Sequence, residues 1–213
     1  MKALAAALVL VLGLSLPNTG RAAEAITILG FGDSLMAGYG LATASSFPSQ
    51  LQAALTQRGH AVSVVNAGVS GDTTAGGKAR LAWSLAEDPD AVILELGAND
   101  GLRGLDVAEM RANLDAMLGE LEKRGIPTLL AGMQAPPNMG REYGQAFRQV
   151  YADLARKYDV AFYPFFLDGV AANASLNQGD GMHPTAEGVA VIVESILPTV
   201  EELIERVQAK RGG

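Results

Sequence analysis

Five times along this 213-residue chain a short apolar run gives way to a glycine-containing or polar loop and then to helical periodicity. The runs are Ile26–Leu29, Ala61–Val65, Ala91–Leu96, Thr128–Met133 and Val160–Tyr163, rich in β-branched or uniformly apolar residues as buried strands are. Helices are expected between them. Ser46 and Pro48 open one carrying Phe47, Leu51, Ala54 and Leu55, and Gly59 stops it. Thr73–Glu87 places Leu81 and Leu85 on one face. Asp106 is the expected N-cap of a helix with Glu109 three residues on, followed by Met110, Leu114, Met117 and Leu121 at helical spacing. Phe147, Val150, Tyr151, Leu154 and Tyr158 mark another, and the last runs from about Thr185 past Ile204, with Pro198 expected to kink or interrupt it. Strict alternation of this kind implies an α/β fold: a mainly parallel five-stranded sheet, right-handed crossovers and helices on both faces.

That topology gathers the loops after successive strands on one edge, where open α/β sheets keep their chemistry. The first loop is expected over Gly30-Phe31-Gly32-Asp33-Ser34-Leu35, the second over Asn66–Asp72, and the third over Gly97-Ala98-Asn99-Asp100. An irregular region after the fifth strand ends in Asp180-Gly181-Met182-His183-Pro184. Gly30 and Gly32 are expected to permit a tight turn and close backbone approach.

A serine hydroxyl becomes a nucleophile only when a base takes its proton. The chain has no cysteine and two histidines, so the base for Ser34 is expected to be His183, with His60 read as a solvent-exposed turn residue. Asp180, three residues before His183, is placed to fix the imidazole tautomer and stabilise its cation. The developing oxyanion needs preorganised donors; the backbone N–H groups of Ser34 and Gly71 and the side-chain amide of Asn99 are the candidates. Leu102, Met139, Tyr143 and Met182 are the expected substrate-pocket residues, from their proximity in sequence to these loops. Two other motifs fail on inspection. Gly71–Lys78 lacks the first glycine and the final Ser or Thr of a phosphate loop, and Gly68-Val69-Ser70-Gly71-Asp72 lacks the last glycine of a G-x-S-x-G elbow.

The remaining bounds come from composition. With 49% hydrophobic residues the chain can fill one core, and a second domain is not required. A net charge of −7 argues against nucleic acid or an anionic membrane as partner. No metal or other cofactor is expected: thiolate sites are excluded, and two histidines make a poor metal site. Residues 1–23 have the order of a secretory signal: Lys2, the apolar run Ala3–Leu16, the breakers Pro17 and Gly20, then Ala22, Ala23 and Ala25. The run is short for a membrane span, so cleavage between residues 22 and 25 is expected over a retained anchor, leaving a single exported domain over 24–213.

The blocks Gly32-Asp33-Ser34-Leu35, Ser70-Gly71-Asp72, Gly97-Ala98-Asn99-Asp100 and Asp180-Gly181-Met182-His183-Pro184, in this order, resemble those of the GDSL, or SGNH, hydrolase family. The runs Leu94–Gly104 and Tyr163-Pro164-Phe165-Phe166 are similar to one branch, the bacterial secreted or periplasmic arylesterases, acyl-thioesterases and lysophospholipases. The resemblance implies a flavodoxin-like three-layer α/β/α sandwich and metal-free hydrolysis of acyl esters or thioesters. It also implies Ser34, Asp180 and His183 as the triad and Gly71 and Asn99 as oxyanion donors. The expected partner is a small acyl ester, thioester or lysophospholipid, met by a monomer without a stable membrane anchor. A carbohydrate or peptidoglycan O-deacetylase of the same family is the alternative.

Overall fold

In a computed structural model, residues 25–212 are described; the signal segment expected over 1–23 lies outside them. Five strands form one all-parallel sheet in the order β2-β1-β3-β4-β5, where β1 is Ile26–Gly32, β2 Val62–Gly68, β3 Ala91–Glu95, β4 Thr128–Ala131 and β5 Ala161–Tyr163. Helices α2 (Phe47–Gln57) and α7 (Ala186–Gly212) pack together on one face. On the other lie α3 (Thr74–Ser84), α5 (Val107–Lys123) and α6 (Arg141–Tyr158). Two short helices, α1 (Ser34–Ala37) and α4 (Ala98–Arg103), sit at the carboxyl edge after β1 and β3. The core runs through the central strands: Ile28, Phe31, Val92, Ile93, Leu94, Leu129 and Leu130 are fully buried.

The sheet changes winding direction at β1, which has β2 on one side and β3 on the other. Such a switch point opens a crevice at the carboxyl ends of the two strands. Here that crevice separates the β1–α1 turn from the β3–α4 turn.

Several expected boundaries differ. β1 and β2 each run three residues further than the apolar runs alone suggest, so Gly30, Gly32, Asn66 and Gly68 are strand, not loop. Parallel pairing supplies backbone hydrogen bonds that a side-chain pattern does not reveal. Gly30 and Gly32 make room for the turn rather than form it. A Cβ on Gly30 would stand 2.7 Å from Met36 Sδ, and one on Gly32 2.5 Å from Glu95 Oε2. Asn99 stands on the first turn of α4, not in a loop. Pro198 does not interrupt α7, which is one element of 27 residues. Ile196, Leu197, Val200, Leu203 and Ile204 on either side are buried, and their burial outweighs the roughly 3 kcal/mol that an interior proline costs. His60 is not a free surface residue: its side chain is 27% exposed and Nε2 lies 3.3 Å from Glu201 Oε1 of α7. Asp106 caps α5 as expected, accepting from the N–H groups of Ala108 and Glu109.

Candidate active site

The turn after β1 is organised by Asp33. Its carboxylate is buried, and Oδ1 accepts from Leu35 N at 3.0 Å, capping α1 so that Ser34 becomes the first helical residue at the sheet's carboxyl edge. The helix lasts one turn and ends at Gly38, whose φ of +80° suits glycine. Met36 is buried beneath it, against Gly30.

The loop after β5 carries Asp180 and His183. It is closed by a bridge between Asn177 and Pro184 and by Gln178 N donating to His183 O at 2.7 Å. Gln178 Nε2 donates to the carbonyls of Pro184 and of Tyr39 beside α1, tying the loop to the turn that carries Ser34. Asp180 Oδ1 accepts from the backbone N–H groups of Met182 and His183, and Oδ2 lies 2.6 Å from His183 Nδ1. The imidazole bond, then these two backbone donors, holds the Asp180 carboxyl far below the usual carboxylate range. His183 Nε2 lies 2.9 Å from Ser34 Oγ. With Nδ1–H given to Asp180, the tautomer that fits leaves Nε2 free to accept the serine proton. The Tyr39 ring lies against the imidazole, with centroids 4.6 Å apart.

Two further loops approach Ser34. Gly71, at φ +83°, occupies the turn between β2 and α3, and Asn99 faces it from α4. Asn99 Nδ2 donates to Asp72 O at 2.9 Å and to Asp33 Oδ2 at 3.1 Å, which pins the carboxamide between the two turns. Arg103 Nη2 donates to Gly71 O at 2.9 Å. The buried Asp100 accepts from Thr74 N at 2.9 Å and Oγ1 at 2.6 Å, fastening α4 to the start of α3.

Beneath the site lies a second acid. Glu95, at the end of β3, is fully buried; Oε2 accepts from Asp33 N at 3.4 Å and Oε1 has no hydrogen-bond partner among the described residues. Burial first, and Asp33 second, push the Glu95 carboxyl well up, towards its protonated form. Burial also pushes Asp33 up to about 6, against the opposing effects of Leu35 N–H, Asn99 and His183. Among the described residues no group of three or more His, Asp or Glu side chains is arranged to hold a metal ion.

Ser34, Gly71, Asn99 and His183 all line one cleft of about 510 Å³. Of the four expected pocket residues, Leu102 and Met182 line it. Met139 instead packs against Gly104, and the Tyr143 hydroxyl donates to Leu105 O at 2.8 Å, so both stand behind the wall. The apolar walls come largely from residues that loop proximity did not pick out: Tyr39, Met133, Ala135, Phe165 and Leu167. One signal lay in the Phe165-Phe166 pair. The two rings part just past the end of β5: Phe165 enters the cleft while Phe166 packs edge-on to Phe47 in the core.

Residues 31–191 match the family model described as the GDSL-like lipase/acylhydrolase family. Esterase TesA of Pseudomonas aeruginosa is 43% identical over 85% of this chain and 91% of its own length. Thioesterase 1/protease 1/lysophospholipase L1 of Escherichia coli K12 is 36% identical over 87% of this chain and 88% of its own length. The crystal structure of AlinE4, an SGNH-hydrolase family esterase, aligns with a TM-score of 0.73 at 48% identity, over 85% of this chain and 98% of that one.

Proposed function

The chain belongs to the GDSL-like lipase/acylhydrolase family, and from that premise we propose that it is an exported serine esterase hydrolysing acyl esters and thioesters through an acyl-enzyme. Ser34 Oγ attacks the acyl carbonyl while His183 Nε2 takes its proton. Asp180 holds the imidazole tautomer and stabilises the cation that forms. The carbonyl oxygen, now an anion, receives hydrogen bonds from Ser34 N, Gly71 N and Asn99 Nδ2, whose amide gives up one of its bonds to Asp72 O and Asp33 Oδ2 to reach it. Its collapse breaks the ester or thioester bond, and His183 returns the proton to the departing alcohol or thiol. Water, deprotonated by His183, then attacks the acyl-Ser34 carbonyl, and the acid leaves as Oγ recovers the proton. No cofactor takes part.

The observation that carries this reading is the continuous chain Asp180 Oδ2, His183, Ser34 Oγ, at 2.6 and 2.9 Å, opening into one cleft. The cleft's apolar lining by Met133, Phe165 and Leu167 favours an acyl chain over the sugar of the O-deacetylase alternative. Residues 1–23 act as a cleaved signal on this reading, and 24–213 form a single monomeric domain acting outside the cytoplasm. Among the described residues no helix is long and apolar enough to cross a membrane.

The test is a chain-length series of p-nitrophenyl esters with the protein from residue 24 onward, beside Ser34→Ala. Turnover that disappears in the variant supports the serine mechanism. Near-normal turnover in Ser34→Ala sinks it, and a strict preference for acetate points to the deacetylase.

A further inference from the structure

We propose that Arg80 is a positioning residue for the oxyanion pocket, clamping the strand end that carries Ser34 to the one that carries Gly71. This rests on the reading of Ser34 N–H and Gly71 N–H as oxyanion donors. Arg80 stands on α3, with its side chain 19% exposed. Its Nη2 donates to Gly32 O at 2.8 Å, two residues before Ser34. Nη1 donates to Ala67 O at 2.8 Å, near the end of β2, and to Ser84 Oγ at 3.5 Å. Nε donates to Asp72 Oδ2 at 2.6 Å, one residue after Gly71. The guanidinium carbon lies 3.9 Å from the centroid of the Phe31 ring. One planar group thus touches the ends of both strands, the residue after Gly71 and the strand between Gly30 and Gly32.

The need for such a clamp follows from the loop itself. Gly71 has a φ of +83° and no side chain to anchor it. The turn's internal support is Asp72 N donating to Val69 O at 3.1 Å, and from α4 Arg103 and Asn99 hold only its carbonyls, Gly71 O and Asp72 O, leaving its junction with the two strand ends to Arg80. Gly32 O, which accepts from Val69 N at 3.0 Å and from Arg80, is the junction of the two strand ends. An oxyanion donor loses its effect when it moves off the position the anion will occupy. A guanidinium fixes several acceptors in one plane by charge-assisted bonds, and stacks on an aromatic face. A lysine ammonium carries the same charge but cannot span acceptors spread along that plane.

The competing account is that Arg80 only neutralises the part-buried Asp72. Two variants of the mature protein separate the accounts. Arg80→Lys keeps the charge and loses the fork. Arg80→Met combined with Asp72→Asn removes both charges, so no ion is left unpaired. Hydrolysis of p-nitrophenyl butyrate is measured per active site, counted by phosphonate titration so that unfolded protein drops out. An alkylboronic acid, which adds to Ser34 as a tetrahedral anion, reads the oxyanion pocket directly. We expect both variants to lose about 10- to 100-fold in kcat, less than removal of a whole donor. KM should stay within about 3-fold, and boronate inhibition should weaken by the same factor as kcat. If kcat per site and boronate affinity stay within about 3-fold of wild type in either variant, the proposal is overturned. Should Arg80→Lys fail to fold, the double variant decides alone. Failure here is distinct from failure of the parent reading: Ser34→Ala inactive beside a fully active Arg80→Lys removes only the role of Arg80.

Discussion

Asp33→Asn tests the electrostatic description of the site through protein stability. Asp33 is fully buried, and its carboxyl titrates near 6 instead of 3.8, chiefly because burial penalises the anion. A carboxyl with a raised folded pKa weakens the fold as it ionises. Below pH 3.8 the folded and unfolded states both hold the proton and there is no penalty. Between 3.8 and about 6 the folded state keeps a proton that the unfolded state has lost, so stability falls as pH rises. Above about 6 the penalty is complete. At ~1.4 kcal/mol per pH unit, the interval from 3.8 to about 6 amounts to about 3 kcal/mol. Asparagine at this position does not titrate, although it loses one of two acceptors, since its NH2 would face either Leu35 N or Asn99 Nδ2. That lost bond is a constant offset of about 1–3 kcal/mol; the titration is the slope. Urea unfolding of both proteins should therefore be followed from pH 4 to 7.5. The single Trp83 is 81% exposed and a poor reporter, so far-UV circular dichroism is the probe. The stability of wild type minus that of Asp33→Asn should fall by about 2.5 kcal/mol across this range, the rest of the penalty being already present at pH 4. A difference that is flat within about 0.5 kcal/mol, or that rises with pH, would refute the reasoning.

Three further outcomes follow from the same geometry. Asp180→Asn can still accept from Met182 N and His183 N but offers no anion to Nδ1, so kcat should fall on the order of 10²- to 10⁴-fold with little change in Tm; steady-state kinetics beside a thermal melt check it. Gly97→Ala should cost at least about 2 kcal/mol in chemical denaturation, because the residue has a φ of +120° and its Cβ would stand 2.0 Å from the Tyr151 hydroxyl oxygen. Pro198→Ala should raise Tm, since it removes a helix-interior proline worth up to about 3 kcal/mol; a lower Tm would mean that α7 packs through the proline ring.

The strand–helix alternation was legible because it rests on local pattern, and the sheet bears out the expected order of elements. What stayed hidden depends on pairing and burial. Gly30 and Gly68 read as loop residues because nothing in their side chains announces the neighbouring strand. Glu95 is the one charge in the run Ala91–Leu96, but that it lies under Asp33, with an oxygen unpartnered among the described residues, follows from the register of Gly32 against Glu95. Arg80 resembled any surface arginine on an amphipathic helix until the ends of β1 and β2 came together around it. The four loops could be named because each follows a strand. The cleft walls could not, because Leu167 and Ala171 belong to a stretch with no periodicity to read.

Ser34 and His183 are 149 residues apart in the chain, yet their side chains are 2.9 Å apart. Ribosomes add about 5–20 residues per second, so His183 follows Ser34 by roughly 7 to 30 s. On the proposed mechanism the chain made in that interval carries Ser34 without its base, and such a hydroxyl is a poor nucleophile. On that reading the order of elements acts as a delay line, and a chain that stops short of His183 cannot hydrolyse the esters around it.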